Sequence, residues 1–274
     1  MKKRYLSFLL LPVLLLSSCH RQEEQDHSLT VREYMRQGIP PINRPWTNDE
    51  FSAAVNILQL IKAKDSLALP RYDSKKSGPL FRHMISMDNL AFLNNDLFSL
   101  HDKTFMLQNF LNIEGQLTGL YMNRHSGQQY YSRELIQLYM YAIAITQKML
   151  DLAYAINISE NRDARCMKSG LPAVQHLYEK MLVFVVKEQT HLASYDTEDL
   201  EVLSDTVGAA ITKNSDWFAP QTRALLKAEI RNVAEHTSSE KIKKEYRSLI
   251  RDLELEAKDP EREGSPENKP KGSF

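Results

Sequence analysis

Residues 132–145 read SRELIQLYMYAIAI, and from residue 135 onward only Gln137 interrupts the apolar run. The polar sequence Thr-Gln-Lys at 146–148 then ends it. A membrane-spanning helix needs about 20 predominantly apolar residues, so this run is too short to cross a bilayer. The pattern predicts a helix that is buried on most of its sides inside a folded domain.

The preceding segment, residues 103–124, predicts a partner for this helix. Its apolar residues recur at spacings of three and four, and they are Met106, Phe110, Ile113, Leu117 and Leu120. Gly115 and Gly119 fall on the opposite side, where they either let another helix approach closely or are merely tolerated. His125-Ser126-Gly127 breaks the helix, so the two segments are expected to form a long antiparallel hairpin.

The same helical spacing predicts six further helices around this hairpin. Their starts are marked by capping residues or by proline in the first turn, namely Thr47 with Glu50, Gly78-Pro79, Pro172, Asp196-Thr197, Pro220, and Thr237 with Glu240. The helix from Gly78 is expected to run to about Leu93. Sustained period-two alternation is absent, so the fold class is all-α, an irregular bundle of about seven to eight helices over residues 47–257.

The amino terminus has the features of an export signal. Lys2, Lys3 and Arg4 form a short basic region, and the apolar segment that follows ends at Leu16. That segment is too short for a stable membrane span, and the order of charges and apolar residues is typical of a cleaved signal peptide. Residues 1–18 are therefore predicted to be removed.

The end of the signal is more specific. Leu16-Ser17-Ser18-Cys19 resembles the lipobox of bacterial lipoproteins. The resemblance implies that Cys19 receives diacylglycerol, that cleavage occurs before it, and that the new amino terminus is acylated. Several acyl chains together anchor a protein stably where one does not. The alternative is an ordinary secretory signal that ends by chance in a cysteine.

The residues after Cys19 bear on the choice of membrane. In the sorting pattern of many lipoproteins an aspartate directly after the cysteine retains the protein at the inner membrane, and here that position is His20. The resemblance therefore favours the outer membrane. Glu23, Glu24 and Asp26 are similar to the acidic surface-export signal of Bacteroidetes lipoproteins, but we favour the simpler interpretation that they form a solvated acidic linker.

Two regions flank the predicted helical domain. Residues 19–46 contain few apolar groups and three prolines, which predicts a flexible tether that spans about 90 Å when fully extended. Residues 258–274 are mostly Pro, Gly, Lys and Glu and are predicted to be disordered.

Charge excludes one class of partner. The signal carries three basic residues and no acidic one, so its removal takes the net charge from zero to −3. A nucleic-acid-binding domain is expected to be strongly basic, so no nucleic-acid partner is predicted. With Cys19 acylated, Cys166 is the remaining thiol, so no internal disulfide is expected. We interpret Cys166 as a packed or incidental cysteine.

The most interesting candidate for chemistry is the pair Glu188 and His191. Glu-x-x-His places a carboxylate and an imidazole one helical turn apart, as in di-iron helical bundles, and His176 lies on a neighbouring line of the same predicted helix. Glu188 also continues the apolar face, so a buried carboxylate with a partner is expected. Such a bundle site needs a second Glu-x-x-His pair, and the other match, Glu24 to His27, lies in the tether. A polar contact between helices is the alternative, and no cofactor other than the covalent lipid is expected.

Other catalytic signatures are missing from the sequence, including Gly-rich phosphate loops, Gly-x-Ser-x-Gly and paired-cysteine zinc patterns. Aromatic residues either line a ligand groove or belong to the core, and the candidates are Tyr130, Tyr131, Tyr139, Tyr141, Trp46 and Trp217. The leading hypothesis is a lipid-anchored, non-catalytic binding or scaffold protein with an envelope partner. The alternative is an envelope enzyme or metal-binding protein that uses Glu188 and His191.

Overall fold

The computed structural model describes residues 26–64, 68–122, 124–125, 128–129, 131–159, 170–192 and 197–256. These residues form nine α-helices, which confirms the all-α prediction. The helices are α1 (Val31–Arg36), α2 (Asn48–Lys64), α3 (Gly78–Met84), α4 (Leu100–Tyr121), α5 (Ser132–Ile158), α6 (Leu171–Leu192), α7 (Thr197–Asn214), α8 (Pro220–His236) and α9 (Glu240–Glu256).

Short elements connect some of the helices. A 3-10 helix, Met87–Asn94, follows α3, and another, Ser215–Trp217, follows α7. Two-residue strands, Arg124–His125 and Gln128–Gln129, pair antiparallel between α4 and α5. Within the described residues no helix is both long enough and apolar enough to span a membrane.

The centre of the fold is the hairpin of α4 and α5, as the sequence predicted. α2 runs parallel to α4, because the side chains of Asn48 and Lys62 donate to the carbonyl oxygens of Met106 and Leu120 respectively. In both contacts the two residues lie 58 positions apart, as parallel helices require. The amino-terminal helices therefore pack on one side of the hairpin.

α6 packs against the other side of α5 and organises the carboxyl-terminal half. Tyr139 of α5 contacts Glu188 of α6, and Tyr178 of α6 contacts Gln147 of α5, so these two helices are antiparallel. α7 and α8 also contact α6, and α9 lies against α7 and α8. A continuous apolar core runs through all these helices.

Residues 28–46 differ from the flexible tether predicted for residues 19–46. α1 lies within this segment, and Tyr34, Ile39 and Trp46 are almost fully buried. The Trp46 indole N–H donates to the Pro41 carbonyl at 3.0 Å. The tether prediction is therefore wrong from Ser28 onward. The segment carries few apolar residues, but the core takes up nearly all of them.

The starts of the helices show where capping patterns are reliable. The predicted capping box before α2 is present: the Glu50 amide donates to the Thr47 hydroxyl at 3.2 Å, and the Thr47 amide donates to the Glu50 carboxylate at 3.0 Å. The predicted box before α9 is wrong. There the Ile242 amide, in the first turn of α9, donates to the hydroxyl of Ser239 and not to that of Thr237. Glu240 pairs instead with Lys243 at 2.6 Å.

The helix predicted from Gly78 to about Leu93 is divided in two. α3 ends at Met84, and the chain restarts as a 3-10 helix whose first turn is capped by the Ser86 hydroxyl, an acceptor for the Asp88 amide at 3.2 Å. The second part carries Asn89, which is buried and accepts from the Trp46 amide at 2.9 Å. This tertiary contact links the 3-10 helix to the amino-terminal segment.

Candidate functional site

Glu188 lies on the inner face of α6, and its side chain is only 5% exposed. The Tyr139 hydroxyl of α5 approaches its Oε2 atom at 3.5 Å. The sequence-based expectation of a buried carboxylate with a partner is therefore confirmed. This contact joins α5 and α6.

The other two predicted metal ligands do not join Glu188 at one point. His191 and His176 are both exposed, whereas Glu188 is buried. His176 precedes Glu188 by twelve residues on the same straight helix, which separates the two by about 18 Å along the axis. In the part of the chain that the structure describes, no three His, Cys, Asp or Glu side chains group so that they could hold a metal ion.

Gln189, next to Glu188, is the fully buried centre of a polar cluster that sequence analysis missed. Its Oε1 atom accepts from the Tyr246 hydroxyl at 2.6 Å and from the Ser204 hydroxyl at 3.0 Å. Its Nε2 atom is buried and makes no hydrogen bond within the described residues. The cluster ties α6 to α7 and α9. Helical spacing alone is enough to predict that Gln189 is buried, because Gln189 lies on the same face of the helix as Leu182 and Val185.

Glu179 of α6 has a structural role that only the tertiary contacts reveal. α8 begins at Pro220 and has no side-chain cap of its own. The buried Glu179 carboxylate fills that place, accepting from the Ala219 amide at 3.0 Å and from the Thr222 hydroxyl at 2.6 Å. A carboxylate at a helix amino terminus satisfies free amides and opposes the positive end of the helix dipole.

Glu114 of α4 is the most isolated of the buried carboxyl groups. It accepts one hydrogen bond, from the Thr118 hydroxyl at 2.5 Å, within its own helix. Burial raises the pKa of Glu114 to about 7, although the Thr118 hydrogen bond acts in the opposite direction. Across the interface with α5, the Tyr141 hydroxyl is buried and makes no hydrogen bond among the described residues.

Glu134, in the first turn of α5, holds the loop that precedes α3. Its Oε1 atom lies 3.2 Å from Arg71 Nε and accepts from the Tyr72 amide at 2.7 Å. Burial raises the pKa of Glu134, and the charge of Arg71 partly offsets that effect. Sequence analysis missed this residue because α5 is predicted from its apolar run, which begins just after Glu134.

The aromatic residues that could have lined a ligand groove belong mainly to the core. Tyr131, Tyr139, Tyr141 and Trp46 are at most 4% exposed. Trp217 is partly exposed and stacks on Tyr154, with ring centroids 5.2 Å apart. Tyr130 lies outside the described residues, as do Cys19, Cys166 and the predicted signal and tail.

On the surface of the described helices, a groove lies on either side of α9. The groove between α8 and α9 has a volume of about 530 Å³, and its lining includes Arg231, Lys243 and Arg247 together with Glu235 and Glu240. The groove between α7 and α9 is smaller, about 280 Å³. It is lined in part by the acidic residues Asp205, Glu245 and Asp252.

Gly115 and Gly119 are exposed on α4, and none of the described helices packs against them. A Cβ atom built at either position meets nothing within 4 Å. The first interpretation of these glycines, that they let another helix approach closely, is therefore not seen among the described residues.

No protein family, curated protein or solved structure matches this chain.

Proposed function

We propose that this protein is a lipoprotein of the bacterial cell envelope whose helical domain acts as a non-catalytic binding or scaffold module. The observation that carries the proposal is Leu16-Ser17-Ser18-Cys19, which follows directly after a basic start and an apolar segment. Acylation of Cys19 anchors the chain, and His20 favours the outer membrane over the inner one.

The interior of the domain supports a structural use of its buried acidic groups. Glu134 holds a loop, Glu179 caps a helix, and Glu188 meets the hydroxyl of Tyr139. Each of these three carboxylates joins two parts of the bundle, whereas the buried Glu114 bonds only within its own helix. A module of this kind acts through its outer surface, where the charged grooves beside α9 offer contacts for a protein partner.

Intact mass of the protein purified from membranes tests the anchor. We expect a chain that begins at Cys19 and carries acyl groups, and a Cys19→Ser variant that keeps its signal. An unacylated wild-type chain cut at another position would refute the lipoprotein assignment. Crosslinking in intact cells, compared between the wild type and the Cys19→Ser variant, then identifies envelope partners that depend on anchoring.

The alternative function, a metal-binding or catalytic role for Glu188 and His191, has a separate test. We expect the purified mature chain to contain no stoichiometric metal, and we expect the His191→Ala substitution to leave its metal content unchanged. The His191→Ala change is suitable because the side chain is exposed and its loss leaves the core intact. Stoichiometric metal that disappears in this variant would favour the alternative.

A further inference from the structure

The chain enters the folded domain at a fixed point. Asp26 accepts from the Ser28 amide at 3.0 Å and from the Ser74 hydroxyl at 2.5 Å. Ser28 is buried and bonds to the Ser77 hydroxyl at 2.7 Å. These contacts hold the amino-terminal end of the described chain beside residues 74–77.

The surface around this point is basic. The Val31 amide donates to the Lys76 carbonyl at 2.9 Å, which places α1 next to the loop before α3. We call the exposed cations of α1, of this loop and of α3 the N-terminal basic surface, and they are Arg32, Arg36, Lys75, Lys76 and Arg82. Met35 is 41% exposed on the same short helix.

The acidic groups nearby are fewer than the cations, although the charges of Glu33 and Asp26 both act on Lys76. Glu33 accepts from the Thr30 hydroxyl at 2.7 Å in the capping box of α1. Asp73 pairs with Arg133, and Asp26 binds the serines described above. In contrast, Arg32, Arg36 and Lys75 make no ion pair within the described residues. The surface therefore carries an excess of positive charge, five exposed cations against the carboxylates of Asp26, Glu33 and Asp73.

Chain length brings this surface close to the membrane. Between the lipobox cysteine and Asp26 stand only the residues 20–25, and the seven residues from Cys19 to Gln25 span at most about 25 Å even when fully extended. The predicted tether of 19–46 would have allowed a far larger separation. Because residues 28–46 are part of the fold, an acylated Cys19 keeps the N-terminal basic surface within about 25 Å of the bilayer, close enough for the surface to reach the headgroups.

We propose that the N-terminal basic surface docks on anionic phospholipid headgroups of the membrane that carries the anchor. Lys and Arg near a negatively charged bilayer are attracted over a distance of about one Debye length, roughly 8 Å at physiological salt. Such a patch, added to acyl chains, strengthens membrane attachment and fixes the orientation of the domain. The inference rests on the proposed function for the anchor, but its electrostatic part is measurable without acylation.

Vesicle co-sedimentation tests the proposal with the mature chain carrying Cys19→Ser, which removes the lipid attachment site. We expect binding to vesicles of phosphatidylcholine mixed with phosphatidylglycerol, little binding to phosphatidylcholine alone, and release at raised salt. The double change Arg32→Glu with Lys75→Glu should lower the partition coefficient about tenfold or more, given the usual contribution of each basic residue. Both side chains are exposed and unpaired, so the fold should be unaffected.

A matched control comes from α9, where Lys244 and Arg251 are also exposed cations. The double change Lys244→Glu with Arg251→Glu alters net charge equally and should leave vesicle binding close to that of the wild type. Equal losses in both double variants, or equal binding to neutral and anionic vesicles, would overturn the proposal. The intact-mass result is independent, so an acylated chain without this lipid preference would keep the anchor and refute only the docking surface.

Discussion

Arg71 Nε lies 3.2 Å from Glu134 Oε1, and the Arg71 guanidinium also lies over the Tyr131 ring, 4.9 Å from its centroid. The contact joins the loop before α3 to the first turn of α5. Glu134 is 2% exposed on its side chain and Arg71 is 25% exposed. Breaking the pair therefore leaves a charge that is largely removed from water.

Glu134→Ala is expected to lower the free energy of unfolding by about 2–4 kcal/mol, because it leaves Arg71 and the Tyr72 amide without their carboxylate. Urea unfolding followed by circular dichroism measures the change. The control is Lys213→Ala, since Lys213 pairs with Asp151 at 3.5 Å on an exposed surface, where ion pairs contribute less than about 1 kcal/mol. Equal effects of the two substitutions would contradict the assigned role.

The pH dependence of stability is expected to carry the signature of Glu114. Its pKa rises from 4.5 to about 7 on folding, so the folded state binds a proton more tightly than the unfolded state. The stabilisation that this proton gives the folded state is fully present below pH 4.5 and is lost as the pH rises through about 7. A shift of this size corresponds to about 3 kcal/mol.

Glu114→Gln keeps an acceptor for Thr118 and removes the titration. We expect this variant to be more stable than the wild type at pH 8, and the two proteins to differ much less at pH 4. Urea unfolding of both proteins across this range gives the comparison, in which the titrations of all other groups cancel. If the two stability curves ran parallel, Glu114 would titrate normally in the folded protein.

Trp46 tests the finding that the segment before α2 belongs to the core. Its side chain is 2% exposed and lies against His83, with ring centroids 4.7 Å apart. Trp46→Ala should reduce the free energy of unfolding by about 3–5 kcal/mol, as expected for a buried large aromatic residue. Leu97→Ala serves as the control, because Leu97 is 91% exposed. If Trp46→Ala left the free energy of unfolding unchanged, residues 28–46 would have to be interpreted as a flexible tether after all.

Gly115→Ala and Gly119→Ala should each stabilise the protein by about 1 kcal/mol, because alanine is the better helix former and its Cβ atom meets no neighbour. Thermal unfolding measures this gain. Gly78→Ala is the contrasting substitution, since a Cβ there would lie 2.6 Å from the Tyr72 carbonyl oxygen. If an envelope partner packs closely on α4, the same two stabilising changes will weaken its crosslinking.

Much of the helical framework could be predicted from local sequence. The apolar spacing of α4, α5 and α6 reports which side of each helix is buried, and Thr47 with Glu50 forms the predicted cap. The helix before residue 46 was missed because six residues, Val31–Arg36, are too few to show periodicity. Its stability comes from packing rather than from intrinsic propensity.

The candidate site was predictable only in part. Glu188 was expected to be buried because it continues an apolar stripe on its own helix. The partners Tyr139 for Glu188, Ala219 and Thr222 for Glu179, and Arg71 for Glu134 lie 40 or more residues away in sequence. No local pattern encodes such pairs, because they depend on which helices become neighbours.

By itself, the sequence determined the all-α class and the central hairpin, because helical periodicity is a local property of the chain. The segment Leu16-Ser17-Ser18-Cys19, which resembles a lipobox, is also local, and it predicts an anchor. Only the tertiary structure decided that residues 28–46 join the core and that His176 and Glu188 lie far apart. It also placed Arg32, Arg36 and Lys75 near the point where the chain enters the domain. The physical reason is that burial and proximity are set by contacts between elements distant in sequence, and these contacts form only when the whole core packs.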